Sequence, residues 1–230
     1  MLKMTPILLA ILYALGMYFF SAWRTRQQLD SQSTELADPV LSRLTAKMAK
    51  ALDLPRLRVN IFEIDPVNGL AAPDGRIFIT RGFYRKYQAG EVTGEELATV
   101  IAHELGHVAL GHTRRRMIDF SGQNAIRVAL GMVLGRFLPG IGVWIANGLT
   151  TLLAARMSRA DEYEADAYAT ALLIKCGIGT ASQKSLFKKL ETLTGSMPGA
   201  APAWIMSHPK TAERIAAIEA NEARWTAGPD

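Results

Sequence analysis

The segment His103-Glu104-Leu105-Gly106-His107 constrains this 230-residue chain more than any other, because it lies inside a stretch that reads as helix. Residues four apart on a helix leave the same face, so both imidazoles can grip one metal ion. Glu104 stands on the rim of that face, where it can take a proton from a water on the metal. Two histidines and a glutamate in this order form the pattern of a zinc-dependent peptidase. Just upstream, Thr93-Gly94-Glu95-Glu96 reads as a capping box, in which Thr93 and Glu96 satisfy each other's backbone donors. Leu97, Val100, Ile101, Leu105 and Val108 then supply an apolar stripe, which predicts a buried helix rather than a loose loop.

A catalytic zinc site takes three protein ligands and keeps one position open. The chain has a single cysteine, Cys176, in the apolar run Ala171 to Cys176, where it reads as a core residue. The third ligand is therefore a histidine or a carboxylate. The long pattern with a further histidine at fixed spacing needs His at 113 and Gly at 110, but the chain has Thr113 and Leu110. His112 is off by one residue and is expected to point away from the metal, as a structural group or a partner of a ligand. Ser158 to Asp166 offers better candidates. Glu162 and Asp166 stand four apart on a predicted helix and share a face. Glu162 as ligand, with Asp166 accepting a hydrogen bond from a ligand histidine, makes a coherent site. Asp161 and Glu164 are rivals by composition, but neither has an acid four residues on, and a solvated helix face is expected for them.

Residues 5 to 23 carry no charge and are long enough to span a bilayer as one helix, with Tyr18 and Trp23 placed as interfacial anchors. No small-x-small cleavage site follows, so a permanent anchor is expected rather than a secretory signal. Lys3 and the terminal amine oppose Arg24 and Arg26, a balance that leans slightly toward a cytoplasmic domain. The formal charge of +5 comes from scattered basic residues with small clusters, among them Arg114 to Arg116. No basic stripe interleaved with aromatics is present, which argues against nucleic acid and for a lipid bilayer as partner.

The chain divides into a membrane anchor over 1–26, a polar tether over 27–34 and one domain over 35–226. Asp38-Pro39 opens a helix predicted to run to about Leu52. Strands are predicted over 57–64, at 71–72 and over 76–80, separated by turns at Pro66 to Gly69 and Pro73 to Gly75. Residues 125–155 are apolar and glycine-rich. Two crossings of a bilayer need about 40 residues, more than this stretch offers, so a helical hairpin packed on the domain, or dipping into the membrane surface, is expected.

Four segments carry a family likeness. They are Asn68 to Gly82, His103 to His112, Ser158-Arg159 with Glu162 and Asp166, and Ser207-His208-Pro209 with Arg214. In this order, over roughly residues 35 to 220, they resemble the HtpX, Oma-type and CAAX-prenyl-protease family of membrane-associated gluzincin peptidases. The resemblance implies a zinc endopeptidase with one Zn2+ per chain on His103, His107 and Glu162. It implies a mainly α fold with a small β-sheet, an α+β zincin-like domain behind one N-terminal transmembrane helix. A single span, where HtpX and the prenyl proteases have several, points away from prenylated peptides. Protein quality control is the expected theme, with unfolded or membrane-associated proteins as substrates.

In that mechanism Glu104 is the general base, and the oxyanion needs a donor besides the metal. Tyr163, Arg214 and His208 are candidates, with His208 first because it precedes Pro209 at an expected helix start. A gate on the zinc and a helix cap are its other readings. The rival function is a latent or non-catalytic membrane adaptor that keeps zinc for structure; Glu104 argues against it, since a structural site needs no base.

Overall fold

Asp38 and Thr93 start their helices as the sequence predicts. In the computed structural model, which describes residues 5–72, 74–112, 115, 142–194 and 211–226, Asp38 caps α2 (Pro39–Ala51). Its carboxylate accepts the Val40 and Leu41 N–H groups at 2.9 Å each, and Pro39 needs no donor at the first position. Thr93 opens α4 (Gly94–Ala109): its hydroxyl accepts the Glu96 N–H at 3.1 Å, while the Glu96 carboxylate accepts the Thr93 N–H at 2.8 Å.

Four strands form one sheet in the order β1-β2-β4-β3: β1 (Ser33–Glu35), β2 (Val59–Phe62), β3 (Gly69–Ala71) and β4 (Ile77–Thr80). β2 and β4 are parallel, whereas β1 and β3 pair antiparallel at the two edges. β4 is buried along its whole length and leads directly into α3 (Arg81–Gln88). β1 is absent from the prediction because Ser33-Thr34-Glu35 carries no apolar alternation. Its place comes from pairing with β2, Ser33 opposite Phe62.

Residues 27–34, expected as a tether, are instead the last turns of α1 (Thr5–Ser31) and the start of β1. The polar composition hides one anchor point. Leu29 is 4% exposed and packs with Phe62, Ala72 and Phe78, and Asp30 accepts from Arg76 at 2.6 Å. Further up α1, Leu12, Tyr13, Leu15, Met17, Phe19, Phe20 and Trp23 are exposed. Among the described residues, no helix is long and apolar enough to cross a membrane.

The expected hairpin over 125–155 is only partly within the described residues. Residues 125–141 lie outside the described residues; from Gly142 onward the chain is a single long helix, α5 (Gly142–Lys175), which continues through Glu162 and Asp166. Apolar composition alone does not reveal that one helix serves both segments. Two further helices, α6 (Ala181–Thr194) and α7 (Thr211–Thr226), complete the described fold.

α4 is buried from Glu96 to His107 on every side, not along one stripe. Leu97, Val100 and Ile101 fill the core with Met48, Ile77, Phe83, Leu173 and Leu186. Ala98, Thr99, Ala102 and Gly106 are small enough to let neighbours close on the remaining faces. α4 packs most closely with α5 and also touches α2, α6, β3 and β4. A helix enclosed in this way is a firm platform for a site.

Candidate metal centre

α4 and α5 touch at Gly106. A Cβ built on Gly106 would lie 2.9 Å from both the Cα and the carbonyl oxygen of Ala165, so the bare glycine is what admits the α5 backbone. Ala165 lies between Glu162 and Asp166 in the sequence, so this contact sets how close both carboxylates come to the histidines of α4.

Three donors converge there. The Nε2 atoms of His103 and His107 are 3.1 Å apart; Glu162 Oε2 is 3.3 Å from the first, and Glu162 Oε1 is 3.4 Å from the second. One ligand atom from each residue lies within 4.8 Å of the others, and all three residues are at most 3% exposed. A tetrahedral ion with ligands at about 2.0–2.1 Å has ligand-to-ligand edges of about 3.3–3.4 Å. The triangle therefore fits one metal ion.

Each histidine is held from behind. His103 Nδ1 donates to Asp166 Oδ1 at 2.9 Å, which leaves Nε2 as the nitrogen that faces the ligand triangle. Asp166 is itself clamped by Arg214, whose Nε and terminal nitrogen donate at 2.6 and 2.8 Å. The guanidinium is buried, stands 3.6 Å from Glu162 and lies over the Phe187 ring at 4.4 Å. Burial raises the Asp166 carboxyl, but Arg214 and His103 outweigh it and hold the group below its usual range. Burial likewise opposes charging of His103, yet hydrogen bonds to Asp166 and Glu162 push its pKa up to about 9.

His107 is held differently. Its Nδ1 lies 3.0 Å from His112 Nδ1, and His112 Nε2 lies 3.0 Å from Glu164 Oε2 and 3.7 Å from Asp161 Oδ1. The expectation of a solvated face is thus corrected for Asp161 and holds for Glu164, whose side chain is 56% exposed. Asp161 is 4% exposed and accepts from Arg115 at 3.4 Å, and Glu164 reaches back to a fully buried histidine. The sequence signal was His112 itself, five residues past His107 and just beyond the end of α4, where Gly111 in a left-handed conformation turns the chain back.

Glu104 lies under the sheet edge. A Cβ on Gly69 of β3 would meet Val100 Cγ1 at 2.5 Å, Glu104 Cγ at 3.4 Å and Glu104 Oε1 at 3.5 Å. The carboxylate of Glu104 is therefore directly below an edge strand. Two of the three oxyanion candidates have other engagements: Arg214 clamps Asp166, and the Tyr163 hydroxyl donates to Glu213 at 3.1 Å. His208 lies outside the described residues.

Comparison with known proteins agrees with this geometry. The sequence model of peptidase family M48 matches residues 35–222. The chain is 31% identical over 193 residues to Metalloprotease LoiP of Escherichia coli (strain K12), covering 82% of this chain and 73% of that protein. It is 32% identical over 177 residues to Metalloprotease YcaL of the same organism, covering 74% and 65%. A Protease HtpX homolog of Acidovorax ebreus (strain TPSY) is 29% identical over 162 residues, covering 56% of this chain and 53% of its own length.

Proposed function

The chain belongs to peptidase family M48 and is a metalloendopeptidase, and we propose that it works with one zinc ion per chain, held by His103, His107 and Glu162. The observation that carries this reading is the buried triangle of His103 Nε2, His107 Nε2 and the Glu162 carboxylate, with edges of 3.1, 3.3 and 3.4 Å. Two imidazoles and one carboxylate are a donor set suited to zinc with one position left open. When bound, the ion supplies Lewis acidity, which makes water nucleophilic near neutral pH and polarises the scissile carbonyl.

The Glu104 carboxylate takes a proton from the attacking water as its oxygen adds to the carbonyl carbon. It then delivers that proton to the amine nitrogen as the C–N bond breaks. Asp166 keeps the His103 proton on Nδ1, and Arg214 keeps Asp166 in place. The edge strand β3 lies above Glu104 and, among the described residues, has one side unpaired in the sheet order. An extended substrate adding there would be held by its backbone, which selects unfolded segments with little regard to sequence. This preference suits protein quality control.

We assign residues 5–23 to a membrane anchor, on the strength of an uncharged run within α1 that carries exposed Leu12, Phe19, Phe20 and Trp23. Substrates in or near the lipid bilayer are then within reach. His208 we assign to the metal as a gate or an oxyanion donor, so His208→Ala changes cleavage or zinc affinity; no change in either removes the assignment.

The deciding experiment compares the detergent-solubilised full chain with Glu104→Gln. Both are expected to hold one zinc per chain, and only the parent to cleave unfolded casein, with a loss of at least about 100-fold in the variant. Equal cleavage by the two proteins would overturn the catalytic reading, and a parent without zinc would overturn the assignment of the metal.

A further inference from the structure

We propose that His112 is a positioning residue: together with Glu164 it fixes the tautomer of His107, so that the Nε2 lone pair of that ligand faces the metal. The inference rests on the zinc-peptidase reading above and goes a step further, to how this chain orders the protons behind its second histidine.

The two ligand histidines have different kinds of partner. Behind His103 stands a carboxylate, Asp166, which only accepts; the proton on His103 Nδ1 is settled by that contact alone. Behind His107 stands an imidazole, and an imidazole nitrogen either donates or accepts. The contact of 3.0 Å between His107 Nδ1 and His112 Nδ1 thus leaves two arrangements of opposite consequence. With the shared proton on His107, its Nε2 carries a lone pair for the metal. With the proton on neutral His112, neutral His107 carries its own proton on Nε2 and cannot be a ligand.

The far side of His112 decides between them. Its Nε2 faces Glu164 Oε2 at 3.0 Å, with Asp161 Oδ1 behind it at 3.7 Å. Glu164 is 56% exposed, but its Oε2 lies 3.0 Å from the buried Nε2 of His112, and a proton on that nitrogen is what makes the contact attractive; the single proton of neutral His112 then sits on Nε2 and its Nδ1 is left as an acceptor. His107 Nδ1 must then donate. The reverse order sets the Nε2 lone pair of His112 against the Glu164 carboxylate inside a residue that is 0% exposed. A buried histidine with a purely packing role needs no acid at one nitrogen and no metal-ligand nitrogen at the other. Arg115 pairs with Asp161 at 3.4 Å, which leaves Glu164 as the nearer acceptor for His112.

The test uses the full chain in detergent, loaded with zinc and labelled with 15N at histidine. The sequence has four histidines, so long-range 1H–15N spectra can be assigned by single substitutions. The expected result is His103 and His107 coordinated through Nε2 and His112 neutral with its proton on Nε2. In chelator competition, His112→Leu is expected to weaken zinc binding 10- to 100-fold. His112→Asn places an amide oxygen where Nδ1 stands, and is expected to bind zinc within about threefold of the parent. A zinc-loaded parent with His112 protonated on Nδ1, or on both nitrogens, overturns the proposal, as does His112→Leu with unchanged zinc affinity. The spectra of the unaltered protein decide the matter even if a variant fails to fold. A parent that takes up no zinc is a different failure, of the metal assignment itself.

Discussion

Gly106→Ala tests whether the touching backbones of α4 and α5 set the geometry of the metal centre. The new Cβ would sit 2.9 Å from the Cα and carbonyl oxygen of Ala165, whereas ordinary contact begins near 3.4 Å, so the helices must part by about 0.5 Å (3.4 − 2.9). No side-chain rotation relieves this, because the atoms met are backbone. For stability the terms nearly cancel: alanine in place of glycine in a helix interior gains about 1 kcal/mol, against about 1–3 kcal/mol for overpacking. The site has no such offset. Retreat of α5 would carry the Glu162 oxygens from 3.3 and 3.4 Å to about 3.8 and 3.9 Å from the two Nε2 atoms, outside the roughly 0.2 Å that metal sites tolerate. We therefore expect thermal unfolding in the presence of chelator to shift by only a few degrees, while zinc affinity and kcat/KM each fall at least about 10-fold. Ala165→Gly should not rescue the variant, since it removes none of the atoms in the clash. A Gly106→Ala protein that keeps the parent's zinc affinity and kcat/KM would refute the reasoning.

Three other outcomes follow from the same contacts. Asp166→Asn leaves the buried guanidinium of Arg214 with Glu162 at 3.6 Å as its remaining carboxylate among the described residues. A loss of about 3 kcal/mol in urea unfolding and a 10- to 100-fold weaker zinc affinity are expected; an unchanged unfolding midpoint contradicts the clamp. Glu96 is buried, and although burial raises its carboxyl, Lys189, Ser185 and the Thr93 N–H hold it below the ordinary value. Its stabilisation is then present above the unfolded pKa of about 4.3 and disappears as pH falls through the folded one. The stability gap between parent and Glu96→Gln should shrink from pH 7 to pH 3, and a constant gap across that range counts against the argument. Deleting residues 1–26 should release the protein from membranes with its zinc retained, whereas deleting 1–32 also removes Leu29 from Phe62, Ala72 and Phe78 and should lower the melting temperature by several degrees, at roughly 1.5–3 kcal/mol for one buried leucine. Equal melting temperatures would show that Leu29 does not anchor the end of α1.

The helix starts were legible because their signals are local. Asp38-Pro39 and Thr93 to Glu96 satisfy backbone donors within three residues, so no tertiary partner is needed to read them. β1 and the end of α1 were not, since each is defined by something distant in sequence: β1 by the edge of β2, and Leu29 by Phe62 and Phe78. Residues 27–34 therefore look like a tether when only their polarity is weighed. The continuity of α5 escaped for a related reason, because an apolar stretch followed by an acidic one reads as two segments when one helix can serve both.

Within the centre, His103, Glu104 and His107 are fixed by helical spacing, and Glu162 with Asp166 by the same rule applied to a second helix. What spacing does not reveal is the balance of charge between the two helices. Glu104, Glu162 and Asp166 are each at most 2% exposed, and Arg214, from the last described helix, is the guanidinium buried among them. With neutral histidines and ionised carboxyls, these four described side chains alone sum to −2 (−3 + 1), a local charge that favours a cation where they meet. Burial opposes a proton on His103, but hydrogen bonds to Asp166 and Glu162 push its pKa up to about 9, so the same carboxylates draw positive charge to this point. A divalent ion bound where the Nε2 atoms and the Glu162 carboxylate converge would match that local sum. Arg214 is thus better placed to make the centre selective for a doubly charged ion than to stabilise an oxyanion, and replacing it should change the charge the site accepts before it changes the chemistry done there.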